Sequence, residues 1–230
     1  MKLDHKRTVL VGLAFLSICA FWQMYDSVVP LILTKTFHMN ETFSGAIMAA
    51  DNILALFLLP FFGSLSDRSH SKIGKRMPFI LFGTGCAVIL MNILPLLDNS
   101  YAAQPSGLKT ASFVIVLGLL LVTMGTYRSP AVALMPDVTP KPLRSRANAI
   151  INLMGAVGGI LYLGVAAVFY PNSKTAGLDH VNYQPLFIVV SAIMFIAIAV
   201  LFLTVKEPKL TAENQALEKQ HPEWNLAQDE

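Results

Sequence analysis

The chain is 230 residues long, 54% hydrophobic and only 13% charged, with a formal net charge of +3 and a mean hydropathy of +0.58. About half the usual charge density cannot cover a water-facing surface, which argues against a soluble enzyme and for an all-α membrane protein. So small a net charge gives no support to a nucleic-acid partner.

The first long apolar run covers residues 8–33. Lys2, Lys6 and Arg7 precede it as they would a signal peptide, but the run is too long and lacks a small-x-small cleavage site, so it reads as a membrane helix. LSIC, ending at Cys19, resembles a lipoprotein box only faintly, because Ile18 stands where a small residue belongs. Trp22 and Asp26 are four apart and share a helix face, with Gln23, Tyr25 and Pro30 close by. An aromatic beside a carboxylate suits a polyhydroxylated ring: the aromatic covers its apolar face and the acid accepts from its hydroxyls. Packing of Trp22 and Tyr25 against neighbouring helices accounts for the same residues without a ligand.

The second run, 43–65, contains Asp51 and Asn52, which could together coordinate a cation or exchange a proton. The third covers 78–97, and the fourth, 111–135, carries Arg128 with Tyr127 before it and Pro130 beyond. The fifth, 147–170, holds Gly155, Gly158, Gly159 and Gly164, including one GxxxG, and is expected to pack closely on another helix. The sixth covers 185–205, after which residues 206–230 turn polar with weak helical periodicity and read as a cytoplasmic tail or linker. Cys19 and Cys86 lie in apolar runs and read as packing residues, and all five histidines fall outside the runs and read as solvated.

Alternating the loops gathers Lys2, Lys6 and Arg7, then Arg68, Lys72, Lys75 and Arg76, then Lys141, Arg144 and Arg146, then Lys206, Lys209 and Lys219 on one side. Only Lys35, Lys109 and Lys174 fall on the other, so the first side is expected to be cytoplasmic, with both termini there and the plasma membrane as the location.

Asp26, Asp51 and Arg128 stand inside the runs, where each costs roughly 2.5–3.5 kcal/mol at a helix centre. Their presence points to a bundle interior or a watery passage, against the alternative of a structural ion pair or a side chain reaching for the surface. Asp26 and Arg128 sit at similar offsets in oppositely directed helices, as an inverted three-plus-three repeat would place them. They are then about 15 Å apart along the membrane normal, too far for a direct salt bridge. No Walker A sequence, dinucleotide fingerprint, HExxH or zinc-ligand cluster occurs in the chain, so no cofactor or metal is expected and the protein does not read as an enzyme.

The loop 63–78, GSLSDRSHSKIGKRMP, places Gly63, Asp67, Arg68, Gly74, Lys75, Arg76 and Pro78 between the second and third runs. Asp67 in this basic loop is best explained as a partner for Arg68, Arg76 or a helix N-terminus, as a gate would need. The loop resembles the signature of the major facilitator superfamily, GxxxDR followed by a Gly and paired basic residues. Residues 127–150, with Arg128, Pro130, Asp137, Arg144 and Arg146, look like the branch of sucrose/proton symporters and the related glycoside, pentoside and hexuronide cation symporters. Asp137 is expected to pair with Arg144 or Arg146.

The resemblance covers residues 1–210 and implies the N-terminal six-helix half of that fold. It also implies alternating-access symport of a sugar-like solute with a proton, in preference to sodium. Trp22, Gln23, Tyr25, Asp26, Asn52 and Arg128 would face the solute, and Asp26 or Asp51 would carry the cation. Gly63, Asp67, Arg68, Gly74, Arg76, Asp137 and Arg144 would form a cytoplasmic gate. Plant sucrose carriers also have an acid earlier in the fourth helix, and residues 111–127 contain none, which leaves coupling to Asp26 or Asp51. The substrate site of such carriers lies between two halves, so a fragment of a twelve-helix protein is expected, or else a pair of copies. A proton-coupled exporter of a drug-like or lipid-like solute and a non-transporting membrane scaffold are the alternatives; the scaffold predicts that Asp26, Asp51 and Arg128 pair internally with no polar cavity.

Overall fold

A chain crossing a bilayer outside a closed barrel must satisfy its amides within each segment, which leaves the helix. The computed structural model describes residues 3–224 and contains helices and short connections, with no strand among the described residues. Helix α1 (His5–Leu31) starts at Asp4, whose side chain accepts from the Arg7 amide, and widens beyond Pro30 into a π-turn, Ile32–Thr36. Asn40 caps α2 (Glu41–Asp67) in the same way through the Phe43 amide, and Pro78 lies in the first turn of α3 (Met77–Ala103). Helix α4 (Gly107–Val138) leads through a 3-10 turn, Lys141–Leu143, into α5 (Arg144–Phe169). A single turn, α6 (Asn172–Thr175), precedes α7 (Gln184–Thr204) and α8 (Glu207–Gln220).

Six of these stretches are long and apolar enough to cross a membrane: His5–Thr36, Glu41–Asp67, Met77–Ala103, Gly107–Val138, Lys141–Phe169 and Gln184–Thr204. Helix α1 packs on α5 and α7, α3 on α4 and α7, and α2 chiefly on α4. Buried Phe21, Met24, Tyr25, Met91, Phe113, Tyr127 and Phe187 fill the centre. The α1–α5 contact is backbone to backbone, since a Cβ at Gly158 would collide with the Leu16 carbonyl. Gly155 lies against Cys19, whereas Gly159, the other end of the GxxxG, has only Gln23 near it. Cys19 and Cys86 are both free thiols.

Large apolar side chains remain exposed on α2 (Phe43, Ile53, Leu56, Phe57, Phe61) and on α5 (Leu153, Ile160, Leu163, Val168). Beyond Val205, residues Glu207–Gln220 form α8, docked on α4. Its periodicity is weak because the docking is polar, through Glu207, Asn214 and Glu218.

Candidate functional site

Tyr127 is fully buried; its hydroxyl donates to the Ala14 carbonyl (2.9 Å) and touches the Ser17 hydroxyl, fastening α4 to α1. The next residue, Arg128, is thereby turned away from that core contact, toward α2. Ser129 donates to the Leu59 carbonyl (2.7 Å), and Gly63 leaves room for the Ser129 hydroxyl, so α4 lies closely along α2. Between these helices Trp22, Asp51 and Arg128 line one small pocket, whose walls include Leu54, Leu58, Leu59 and Leu121. The Arg128 guanidinium stands 5.6 Å from the Trp22 ring centroid, a cation–π arrangement. The Asp51 carboxylate accepts from the amide (2.6 Å) and side chain (2.9 Å) of Asn52.

The pocket measures about 20 Å³, room for a single water and not for a sugar ring. Among the described residues none of Asp26, Asp51 and Arg128 forms an ion pair. Trp22 packs edge-on against Phe21 (5.2 Å) and Tyr25 (5.3 Å). The Trp22 indole nitrogen and the Tyr25 hydroxyl are both buried without a partner, a cost of about 1–3 kcal/mol each that a bound polar group or water relieves.

Helix geometry separates residues the sequence places together. Residues four apart drift by about 40° around a helix. Trp22 therefore turns into the pocket while Asp26 stays exposed, and it is Asp51 from α2 that joins Trp22. Gln23 faces Gly159 on α5, Asn52 is exposed, and Tyr25 backs Trp22 from within the core.

A second polar cluster lies at the end of the bundle where α2, α3 and α4 meet. Arg76, only 4% exposed, donates to Asp137 (2.9 Å), to the Ser66 hydroxyl (2.5 Å) and to the Gly63 carbonyl (3.3 Å), and pairs with Asp67. Lys75 lies 3.2 Å from Asp137 and 3.8 Å from Asp67. Asp137 thus pairs with Arg76 and Lys75, not with Arg144 or Arg146, because α4 continues past it and aims it at the start of α3. Arg144, carried beyond the 3-10 turn, instead bonds Glu218 (2.8 Å) and the carbonyls of Pro136 and Thr139. Arg68 is exposed and has no ion-pair partner among the described residues.

Glu207, which the sequence gives no reason to single out, completes this cluster. It is 1% exposed, and its carboxylate accepts from the backbone amides of Lys75 (2.8 Å), Arg76 (2.9 Å) and Met77 (2.8 Å). A side chain from α8 therefore caps the N-terminus of α3. Gly74 makes this possible at φ +118°, where a Cβ would overlap the carboxylate. Burial pushes the Glu207 carboxyl above the ordinary glutamate value; the three amides oppose the push and Asp137 adds to it. Asn214 ties α8 to the Asp137 carbonyl (3.1 Å).

At the opposite end, His180 is not a solvated loop residue. Its ring nitrogens lie 3.1 Å from the Thr36 hydroxyl and 3.0 Å from the Asn99 side chain, with Asp98 at 3.8 Å. Asp98 is fully buried, and neither of its carboxyl oxygens has a hydrogen bond. It lies just past residue 97, where the sequence places the end of the third run.

The model of the Major Facilitator Superfamily matches residues 11–226. Sucrose transport protein SUC3 of Arabidopsis thaliana is 34% identical over 145 residues, 58% of this chain and 24% of that protein. Sucrose transport protein SUT3 of Oryza sativa subsp. indica is 33% identical over 141 residues, 55% of this chain and 28% of that protein. Solute carrier family 45 member 3 of Homo sapiens is 26% identical over 185 residues, 79% of this chain and 33% of that protein. The chain thus matches between 24% and 33% of the length of these relatives.

Proposed function

The chain belongs to the Major Facilitator Superfamily, and on that premise we propose that it is one six-helix half of a secondary active transporter moving a sugar or glycoside by alternating access, coupled to a proton in preference to sodium. The observation that carries this reading is the convergence of Trp22, Arg128 and Asp51 from three helices on one membrane-depth pocket. An aromatic face, a fixed cation and an acid are the groups that stack on a sugar ring, hydrogen-bond its hydroxyls and take up a proton. In this assignment Trp22 and Arg128 contact the solute. Asp51 takes up the proton, and exposed Asp26 is the remaining candidate for that role.

The absence of ion pairs at these three charges, among the described residues, argues against a scaffold that retains them as structural pairs. The water-sized pocket supplies one wall only. The opposing wall comes from a second six-helix bundle, in a longer chain or a second copy, seated on the exposed apolar faces of α2 and α5. Arg76, held between Asp67 and Asp137, is then a latch whose pairs break as the cytoplasmic side opens. The leucine-rich walls favour, as a second reading, export of a greasier solute against protons.

Titration of Trp22 fluorescence with sucrose in the assembled two-bundle transporter, with Trp224 and any tryptophan of the second bundle replaced by Phe, tests solute recognition. Quenching that saturates and disappears in Arg128→Gln supports the assignment. Quenching by an amphipathic cation but not by sucrose favours the exporter. In proteoliposomes of the complete transporter, Asp51→Asn abolishes sugar-driven proton uptake while insertion persists; unchanged uptake moves the role to Asp26.

A further inference from the structure

At the basic end of the bundle a cleft of about 360 Å³ opens between the foot of α7, the start of α8 and the α2–α3 loop, within the ~300–1,000 Å³ typical of ligand sites. Its polar lining consists of Lys72, Lys206 and Lys209, with no acid, and Ile73, Phe202 and Val205 supply the apolar part. Lys72 and Lys206 have no ion-pair partner among the described residues, and Lys209 has only Glu213 at 3.8 Å. Glu207, the one acid between Lys206 and Lys209 in sequence, is turned inward onto the amides of α3 and pairs with none of the three lysines. A neighbouring cleft of about 430 Å³ shares Lys206 and Lys209 and adds Lys6 and Arg7 against the acids Asp4 and Glu213, so basic residues still outnumber acids round the foot of α7.

Phe202 and Val205 bracket the end of the membrane-crossing stretch at Thr204, and Phe202 and Ile73 are 39% and 40% exposed. Cations at the interface beside a greasy wall that continues into the bilayer match one ligand chemistry: a phosphodiester carrying acyl chains. We propose that this cleft binds an anionic phospholipid, its phosphate held by Lys72, Lys206 and Lys209 and an acyl chain laid along Ile73 and Phe202. A free anion would leave the apolar wall unused, and a zwitterionic lipid would place its own cation among the lysines. The occupied site pins α8 and the α2–α3 loop to the membrane surface from the outside, as Glu207 pins them to each other from within.

Native mass spectrometry of the full chain with phosphatidylglycerol or phosphatidylcholine of identical acyl chains tests the site. Phosphatidylglycerol is expected to be retained over phosphatidylcholine. Lys72→Gln with Lys206→Gln is expected to weaken that retention by roughly tenfold or more; both side chains are exposed, so the fold is kept. Arg68→Gln with Arg146→Gln removes the same charge from exposed positions at the same end and leaves retention unchanged. Phe202→Ala lowers retention of the lipid without altering binding of inorganic phosphate. Equal losses in the two double variants would assign the effect to diffuse charge and overturn the proposal. Equal retention of both lipids, or displacement of phosphatidylglycerol by equimolar inorganic phosphate, overturns it as well.

Discussion

Glu207 and Gly74 share one space: the carboxylate of α8 sits where any side chain on residue 74 would have to stand. The φ of +118° at that glycine is itself one that other residues adopt only under strain. Gly74→Ala is therefore expected to expel Glu207 and release α8. Strain of about 1–3 kcal/mol and loss of a cap worth about 1 kcal/mol both contribute. The measurement is limited trypsin digestion, with cleavage at Lys206 and Lys209 accelerated in the variant; an unchanged rate would mean that docking does not depend on the cap.

Docking of α8 is also expected to respond to pH. Because burial raises the Glu207 carboxyl, the docked form binds its proton more tightly than the released form. The resulting stabilisation is fully present below the ordinary value of 4.5 and is lost as pH rises through the raised value. Hydrogen exchange of the α8 amides, normalised for intrinsic rate, should accelerate across that window and stay level above it. Glu207→Gln should flatten the profile, and a slope that survives in this variant places its origin elsewhere.

Two glycines of α5 give a paired contrast. A methyl group at Gly158 meets the Leu16 carbonyl, whereas one at Gly164 meets nothing within 4 Å. Gly158→Ala is expected to cost about 2–4 kcal/mol by forcing α1 and α5 apart, and Gly164→Ala to change stability by no more than about 0.5 kcal/mol. Thermal unfolding in detergent reads both; similar midpoints for the two variants would contradict the close α1–α5 contact.

The Trp22–Arg128 pair should show up as coupling. In a cycle of Trp22→Leu, Arg128→Gln and the double variant, an interaction energy of about 1 kcal/mol is expected, given the 5.6 Å separation and partial exclusion of water. Additive effects on unfolding would mean that the ring and the guanidinium are neighbours without attraction.

The six membrane helices were legible from the sequence because 18 or more apolar residues in a row have few other uses, and Arg128 was legible because a charge at that depth is expensive. The partner of Trp22 was not: choosing Asp51 over Asp26 requires the rotation of α1 against α2, which side-chain spacing on one helix does not contain. Asp67 and Arg76 could be matched because they share a loop. Asp137 could not, since its pairing depends on how far α4 runs before turning. Glu207 escaped notice because its three partners are backbone amides about 130 residues away, and amides leave no mark in a sequence. His180 and Asp98 were missed for a related reason, as a histidine between helices looks solvated until Thr36 and Asn99 are brought to it.

The unequal packing of α2 has a mechanical consequence. Helix α1 is bound to α5 through bare backbone and to α7 along its length, while α2 leans chiefly on α4 and is clamped at one end by Arg76. Helix α2 is thus held along one side by α4 and presents apolar side chains on the other. Asp51 rides on α2 and Arg128 on α4, so any sliding of α2 along α4 changes the separation of the two charges without breaking the Tyr127 bond that fastens α4 to α1.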